Sequence, residues 1–158
     1  MKIGVTLNIN GKDHAVQVEP RRTLADTIRE ECGQTGTHTG CEHGVCGACT
    51  ILLDGEPVRS CLMFAVQAAG RKIRTVEGLA DGDKLHPLQR AFIEHHGLQC
   101  GYCTPGFLML AAGTLERQPD ISDEELLEVL SSNLCRCTGY KNIIKAVRAA
   151  AVEMKTRR

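Results

Sequence analysis

Eight of the nine cysteines in this 158-residue chain fall into two sets of four whose spacing suits redox chemistry. The first set is Cys41-x4-Cys46-x2-Cys49 with Cys61 beyond it, a spacing that holds 2Fe-2S clusters. A diiron core with two bridging sulfides needs four thiolates, and one loop supplies three of them only if its backbone wraps closely. Gly40, Gly44 and Gly47 stand where that wrapping needs conformational freedom and where N–H groups must approach sulfur. Two other metal chemistries bear on the same residues. Structural zinc usually draws on two short cysteine pairs, and here only Cys46 and Cys49 make one. A Rieske iron takes two histidines. Cys41-Glu42-His43 offers one and no second follows Cys46-x2-Cys49, so His43 reads as a solvated loop residue.

The second set is Cys100-x2-Cys103 together with Cys135-x-Cys137. Four thiolates gathered at two helix starts gain from the positive ends of both dipoles, which suits the charge of about minus two on an oxidised 2Fe-2S unit. By spacing alone this set also admits a zinc site or a redox-active Cys-x-x-Cys. The Cys-x-Cys pair favours a cluster, because neighbouring thiolates can both reach one iron. Cys32, the ninth, reads as a small semi-buried apolar residue at a helix end. His14, His38, His86, His95 and His96 are scattered or lie on an amphipathic helix and read as surface residues. There is no nucleotide-binding loop, no Ser-His-Asp order and no paired carboxylate in a glycine-rich setting. The acidic run from Asp120 to Glu128 reads as a helix N-terminus with its dipole complemented. The pattern predicts a chain that carries electrons and does no bond chemistry itself.

Two kinds of element must position the cysteines. Ile3, Val5, Leu7 and Ile9 alternate with polar residues as in a half-buried strand, Asn10-Gly11 is a hairpin turn, and His14 to Val18 is its partner. Thr23 caps a helix running through Leu24, Ile28 and Glu31, with Asp26 in the capping-box place and Gly33 as its stop. Thr50 to Leu53 and Val58 to Cys61 are strands joined at Asp54-Gly55, and Lys72 to Val76 is a last strand. Ala80-Asp81-Gly82-Asp83 is a polar linker that divides the chain into domains at 1–79 and 80–158. Beyond it the periodicity is helical. Leu85, Leu88 and Phe92 share one face, and Phe107, Leu110, Ala111 and Leu115 another. Ser122 to Glu125 opens a third helix with a capping box, and Ile143 to Met154 forms a fourth. Cys103-Thr104-Pro105 and Cys137-Thr138-Gly139 begin alike, each with a threonine expected at an N-cap.

Charge narrows the function classes. Lys plus Arg equals Asp plus Glu at 19 each and aromatics are few, so nothing favours nucleic acid. The first ten residues carry no apolar signal region, and no run approaches the roughly 18 apolar residues of a membrane helix, which predicts a cytoplasmic protein.

Three motifs in order resemble the xanthine oxidase family of molybdenum hydroxylases. Gly40 to Thr50 (GCEHGVCGACT) is similar to its ferredoxin-like loop. Gln99 to Gly106 (QCGYCTPG) and Asn133 to Tyr140 (NLCRCTGY) are similar to its second iron-sulfur motif. The length resembles the separate small subunit of bacterial members such as carbon monoxide dehydrogenase and the aldehyde and N-heterocycle oxidoreductases. The resemblance implies an α+β fold: an N-terminal β-grasp, plant-type ferredoxin-like domain around Cys41, Cys46, Cys49 and Cys61, then an all-α four-helix bundle around Cys100, Cys103, Cys135 and Cys137. It also implies a large molybdenum-pterin subunit, a medium FAD subunit, and a heterotrimer or dimer of heterotrimers. Electrons would run from molybdenum through the helical-domain cluster and the ferredoxin-like cluster to flavin, with Gln99 and Cys137 approaching the pterin. Gln34 and His38 depart from the leucine and lysine of many relatives, off the ligand positions. A stand-alone 2Fe-2S carrier is the alternative, although a diffusing carrier usually shows a charge bias that this chain lacks.

Overall fold

The computed structural model describes residues 1–156; Arg157 and Arg158, at the end of the expected helical domain, lie outside them. Strand β1 (Ile3–Ile9) pairs antiparallel with β2 (Lys12–Val18), from Ile3 opposite Val18 to Ile9 opposite Lys12. Asn10 and Gly11 turn between them with φ of 53° and 80°, the left-handed pair that a two-residue hairpin demands. Asp54 and Gly55 serve likewise between β3 (Thr50–Leu53) and β4 (Glu56–Arg59). Strand β5 (Lys72–Arg74) lies parallel to β1 and antiparallel to β3, completing a sheet of order β2-β1-β5-β3-β4.

All of β3 is buried because its two faces meet different cores. Ile51 and Leu53 pack with Leu7, Ile9, Leu24 and Ile28, whereas Leu52 joins a second core built from the helices. The expected helix after Thr23 is shorter and wider than its pattern suggests. Thr23 caps α1 (Leu24–Asp26), accepting from the Asp26 N–H at 3.1 Å. The chain then opens into a π turn over Thr27–Glu31, closed by the Cys32 N–H on the Thr27 carbonyl at 3.0 Å. The wider turn brings Leu24, Ala25, Thr27 and Ile28 all to the buried side. Strand β4 stops at Arg59, and Cys61 sits on a 3-10 turn over Ser60–Leu62 rather than on the strand, held inward by Ser60 Oγ donating to the Cys49 carbonyl at 2.7 Å.

Four longer helices follow: α2 (Pro87–Glu94), α3 (Thr104–Arg117), α4 (Asp123–Ser131) and α5 (Lys141–Thr156). Leu88 and Phe92 are buried as expected, but Leu85 precedes α2 and is exposed. The capping box of α4 is present, with the Glu125 N–H on Ser122 Oγ at 3.2 Å and the Ser122 N–H on Glu125 Oε2 at 3.1 Å. Helix α2 has a reciprocal cap that its sequence does not advertise. His86 Nδ1 accepts from the Leu88 N–H at 3.2 Å, and Gln89 Oε1 accepts from the His86 N–H at 2.9 Å. Among the described residues no helix is long and apolar enough to cross a membrane.

Candidate iron-sulfur centres

The loop from Gly40 to Cys49 carries three thiols of the first set around a turn open to solvent on one side. Cys49 and Cys61 are buried against Ala25, while Cys41 and Cys46 are half-buried. Gly44 and Gly47 take φ of 84° and 73°, and a Cβ on Gly40 would lie 3.0 Å from Cys46 Sγ. The backbone does turn its donors to sulfur: the Cys46 N–H reaches Cys41 Sγ at 3.3 Å and the Ala48 N–H reaches Cys46 Sγ at 3.5 Å. The N–H groups of Cys46 and His43 draw the Cys41 thiol down to about 6. Burial, with Cys49 close by, pushes Cys61 up to about 12.

The second set gathers where two helices begin. Cys103 is the N-cap of α3, with Cys100 exposed just before it, and Cys135 and Cys137 lie in the loop that leads from α4 into α5. Burial pushes Cys103 up to about 12, with Cys135 adding to the rise. Burial also raises Cys135, but hydrogen bonds from the Thr138 hydroxyl and N–H, together with those from the Cys137 N–H and the Cys103 thiol, hold it below its ordinary value.

The two threonines expected at N-caps are placed otherwise. Thr104 lies inside the first turn of α3, and its hydroxyl is buried without a hydrogen-bond partner beside Cys103. Thr138 folds back on the loop. Its hydroxyl lies 3.1 Å from Cys135 Sγ, its N–H reaches the same sulfur at 3.4 Å, and its oxygen accepts from the Tyr140 N–H at 3.1 Å. The Tyr140 hydroxyl accepts from the Cys135 N–H at 3.0 Å.

The thiols lie side by side in twos: Cys41 beside Cys46, Cys49 beside Cys61, Cys103 beside Cys135 and Cys100 beside Cys137, all of them free. Among the described residues no three His, Cys, Asp or Glu side chains converge on a single-ion site. The Thr138 contacts turn Cys135 inward to Cys103 and leave Cys137 outside with Cys100. A group with two metal ions, each taking two thiolates, suits this donor set. It also supplies the positive charge without which the buried Cys61 and Cys103 resist ionisation.

The two sets are neighbours in space. The Leu134 N–H bonds the Cys46 carbonyl at 2.9 Å, joining the residue before Cys135 to a thiol of the first set. Buried Asn133 donates to the Gly47 carbonyl at 3.3 Å, and a Cβ on Gly47 would come within 2.0 Å of Asn133 Oδ1. His38, expected at the surface, stacks on Tyr102 with ring centroids 4.7 Å apart, and the Tyr102 hydroxyl donates to the Thr39 carbonyl at 2.6 Å. Cys32 is buried in the first core, as its reading as a small apolar residue requires. His43 is exposed, with Nδ1 on the Cys41 carbonyl. Gln99 is exposed, like Cys100 and Cys137. Asn133, Thr138 and Tyr140 were not legible as site residues, since their contacts depend on a loop path that spacing does not encode.

Known proteins match the chain over most of its length. The family model described as a 2Fe-2S iron-sulfur cluster binding domain covers residues 7–80, and that of a second 2Fe-2S binding domain covers residues 75–148. The chain is 56% identical over 146 residues to the nicotine 6-hydroxylase small subunit of Paenarthrobacter nicotinovorans, covering 92% of this chain and 88% of that one. It is also 56% identical over 150 residues to caffeine dehydrogenase subunit gamma of Pseudomonas sp. (strain CBB1), covering 93% and 90%. The crystal structure of quinoline 2-oxidoreductase from Pseudomonas putida 86 contains a similar chain: TM-score 0.92, 53% identity, 98% of this chain and 97% of that one. The protein belongs to the family of small iron-sulfur subunits, with two 2Fe-2S domains, that relay electrons in the molybdenum hydroxylases.

Proposed function

We propose that Cys41, Cys46, Cys49 and Cys61 hold one 2Fe-2S cluster and that Cys100, Cys103, Cys135 and Cys137 hold a second. The observation that carries this reading is the two-by-two approach of the thiols, because a diiron core asks for two thiolates on each iron. Cys41, Cys46, Cys49 and Cys61 would supply the four thiolates of the first core, and Cys100, Cys103, Cys135 and Cys137 those of the second. The chain divides at residue 79 into a β-grasp, plant-type ferredoxin-like domain and a four-helix bundle. The strands lie before that point and the four longer helices after it, in keeping with the division.

When bound, the clusters supply one-electron transfer between a large molybdenum-pterin subunit and a medium FAD subunit, in a heterotrimer or dimer of heterotrimers. This chain's residues hold the thiolates, keep water from Cys49 and Cys61, and bring the two ligand loops into hydrogen-bond contact through Leu134 and Cys46. Gln99 and Cys137 contact the pterin, a role supported by their exposure beside Cys100. Relatives named for nicotine, caffeine and quinoline favour an N-heterocycle as substrate class for the assembly.

Metal and acid-labile sulfide analysis of the purified complex, with paramagnetic resonance after reduction, tests the ligand sets. The expected result is about four irons and four sulfides per chain and two distinct resonance signals. Zinc in place of iron would overturn the reading.

A further inference from the structure

Hydrogen bonds reach the sulfurs of the two sets unequally. Cys41, Cys46 and Cys100 accept from backbone N–H groups and from no hydroxyl, among them the N–H of Cys46 at 3.3 Å, of Ala48 at 3.5 Å and of Tyr102 at 3.5 Å. Cys135 takes the Thr138 N–H at 3.4 Å and lies 3.1 Å from the Thr138 hydroxyl as well, the one hydroxyl on a sulfur of either set among the described residues. The Thr138 oxygen also accepts from the Tyr140 N–H at 3.1 Å, which anchors the hydroxyl beside the sulfur. A metal-bound thiolate has no proton, so the hydroxyl must be the donor.

The loop is built to keep this donor in place. Tyr140 has φ of 67°, Gly139 has 61°, and the two left-handed residues curl the chain back over Thr138. The Tyr140 hydroxyl then accepts from the Cys135 N–H at 3.0 Å, closing a ring of contacts from Cys135 to Thr138 to Tyr140 and back. Adding an electron to a 2Fe-2S cluster makes it more negative, and a donor aimed at a ligand sulfur strengthens with that charge. Such a bond stabilises the reduced form and raises the potential.

We propose that the Thr138 hydroxyl tunes the second cluster, raising its reduction potential through a hydrogen bond to Cys135 Sγ. Thr138 is a positioning and tuning residue, not a ligand, and the proposal rests on the ligand sets given above. The first cluster has no such hydroxyl among the described residues, so the device separates the two potentials.

The test is a redox titration of the assembled complex in which both reduced-cluster signals are followed by paramagnetic resonance. Thr138→Val keeps the shape and removes the hydroxyl; Thr138→Ser keeps the hydroxyl and removes the methyl. Thr138→Val is expected to lower the midpoint of the second signal and leave the first unmoved, with Thr138→Ser near wild type. An unchanged second midpoint in Thr138→Val overturns the proposal, and so do equal shifts of both signals. A second signal absent from Thr138→Val but present in Thr138→Ser overturns it too, by assigning the hydroxyl to assembly rather than tuning. A wild-type complex with no second signal would instead overturn the ligand sets themselves.

Discussion

His86 begins α2 with an imidazole in the place usually taken by Ser, Thr, Asp or Asn, and Nδ1 can accept the Leu88 N–H only while unprotonated. Burial is the main cause that lowers its pKa. Arg74 and Arg90 lower it further, while Glu116 and Glu153 oppose them. A depressed folded-state pKa means that the stabilisation is whole above the ordinary value near 6.5 and is lost as the pH falls from there toward the folded-state value. Thermal unfolding should therefore show wild type losing, between neutral and mildly acidic pH, an amount on the order of one helix cap, about 1 kcal/mol, that His86→Asn does not lose. Parallel pH profiles for the two proteins would contradict the cap's titration. At the thiols the same local reasoning separates the centres. The Cys46 side chain pairs with Cys41, and only its backbone carbonyl reaches the second set, at Leu134. Cys46→Ser keeps that carbonyl, so the first resonance signal should be lost or altered while the second survives. Loss of both signals would show that the centres assemble together.

Helix α3 is seated directly on the backbone of the first thiol loop. A Cβ on Gly106, in its first turn, would lie 2.4 Å from the Gly47 carbonyl oxygen and 3.0 Å from the Ala48 Cα, both backbone atoms that have no rotamer to change. Gly106→Ala should destabilise the chain by about 1–3 kcal/mol, the range for overpacking, and lower its melting temperature; an unchanged melting temperature would refute the tight seat. Ser122→Ala, which removes a cap at the exposed start of α4, should cost about 1 kcal/mol by the same assay and leave both cluster signals intact. The elements most legible in the sequence were those fixed by local chemistry: both two-residue hairpins, the Thr23 and Ser122 caps, and the apolar faces of α3 and α5. The π turn at Thr27 was not legible, because a 3.6-residue pattern and a wider one differ little over five residues and the core decides between them. The threonines after Cys103 and Cys137 misled for a related reason. Cys103 itself takes the cap position of α3, and Thr138 is claimed by a sulfur that lies close only once the loop has folded.

At the scale of the molecule, a linker in the sequence suggests two halves that could move apart, and the packing argues otherwise. Leu52 of the sheet belongs to the helical core. Arg74 on β5 pairs with Glu116 on α3 at 2.6 Å, and Arg59 at the end of β4 donates to the Ser132 carbonyl at 2.9 Å. Asn133 and Leu134 bind Gly47 and Cys46 across the same seam. These contacts link the two thiol loops through one backbone hydrogen bond, so a loosened seam would lengthen the route between clusters. Parting the halves would expose Leu52 and leave the Gly47 and Cys46 carbonyls without those donors, costs that fall on both sides together. The chain is therefore expected to unfold as one cooperative unit: visible absorbance of the clusters, helical circular dichroism and exposure of the sheet should share one thermal midpoint. In Asn133→Ala that common midpoint should fall without splitting. Separate midpoints for helices and sheet in wild type would mean that the halves fold independently and that the seam adds little to stability.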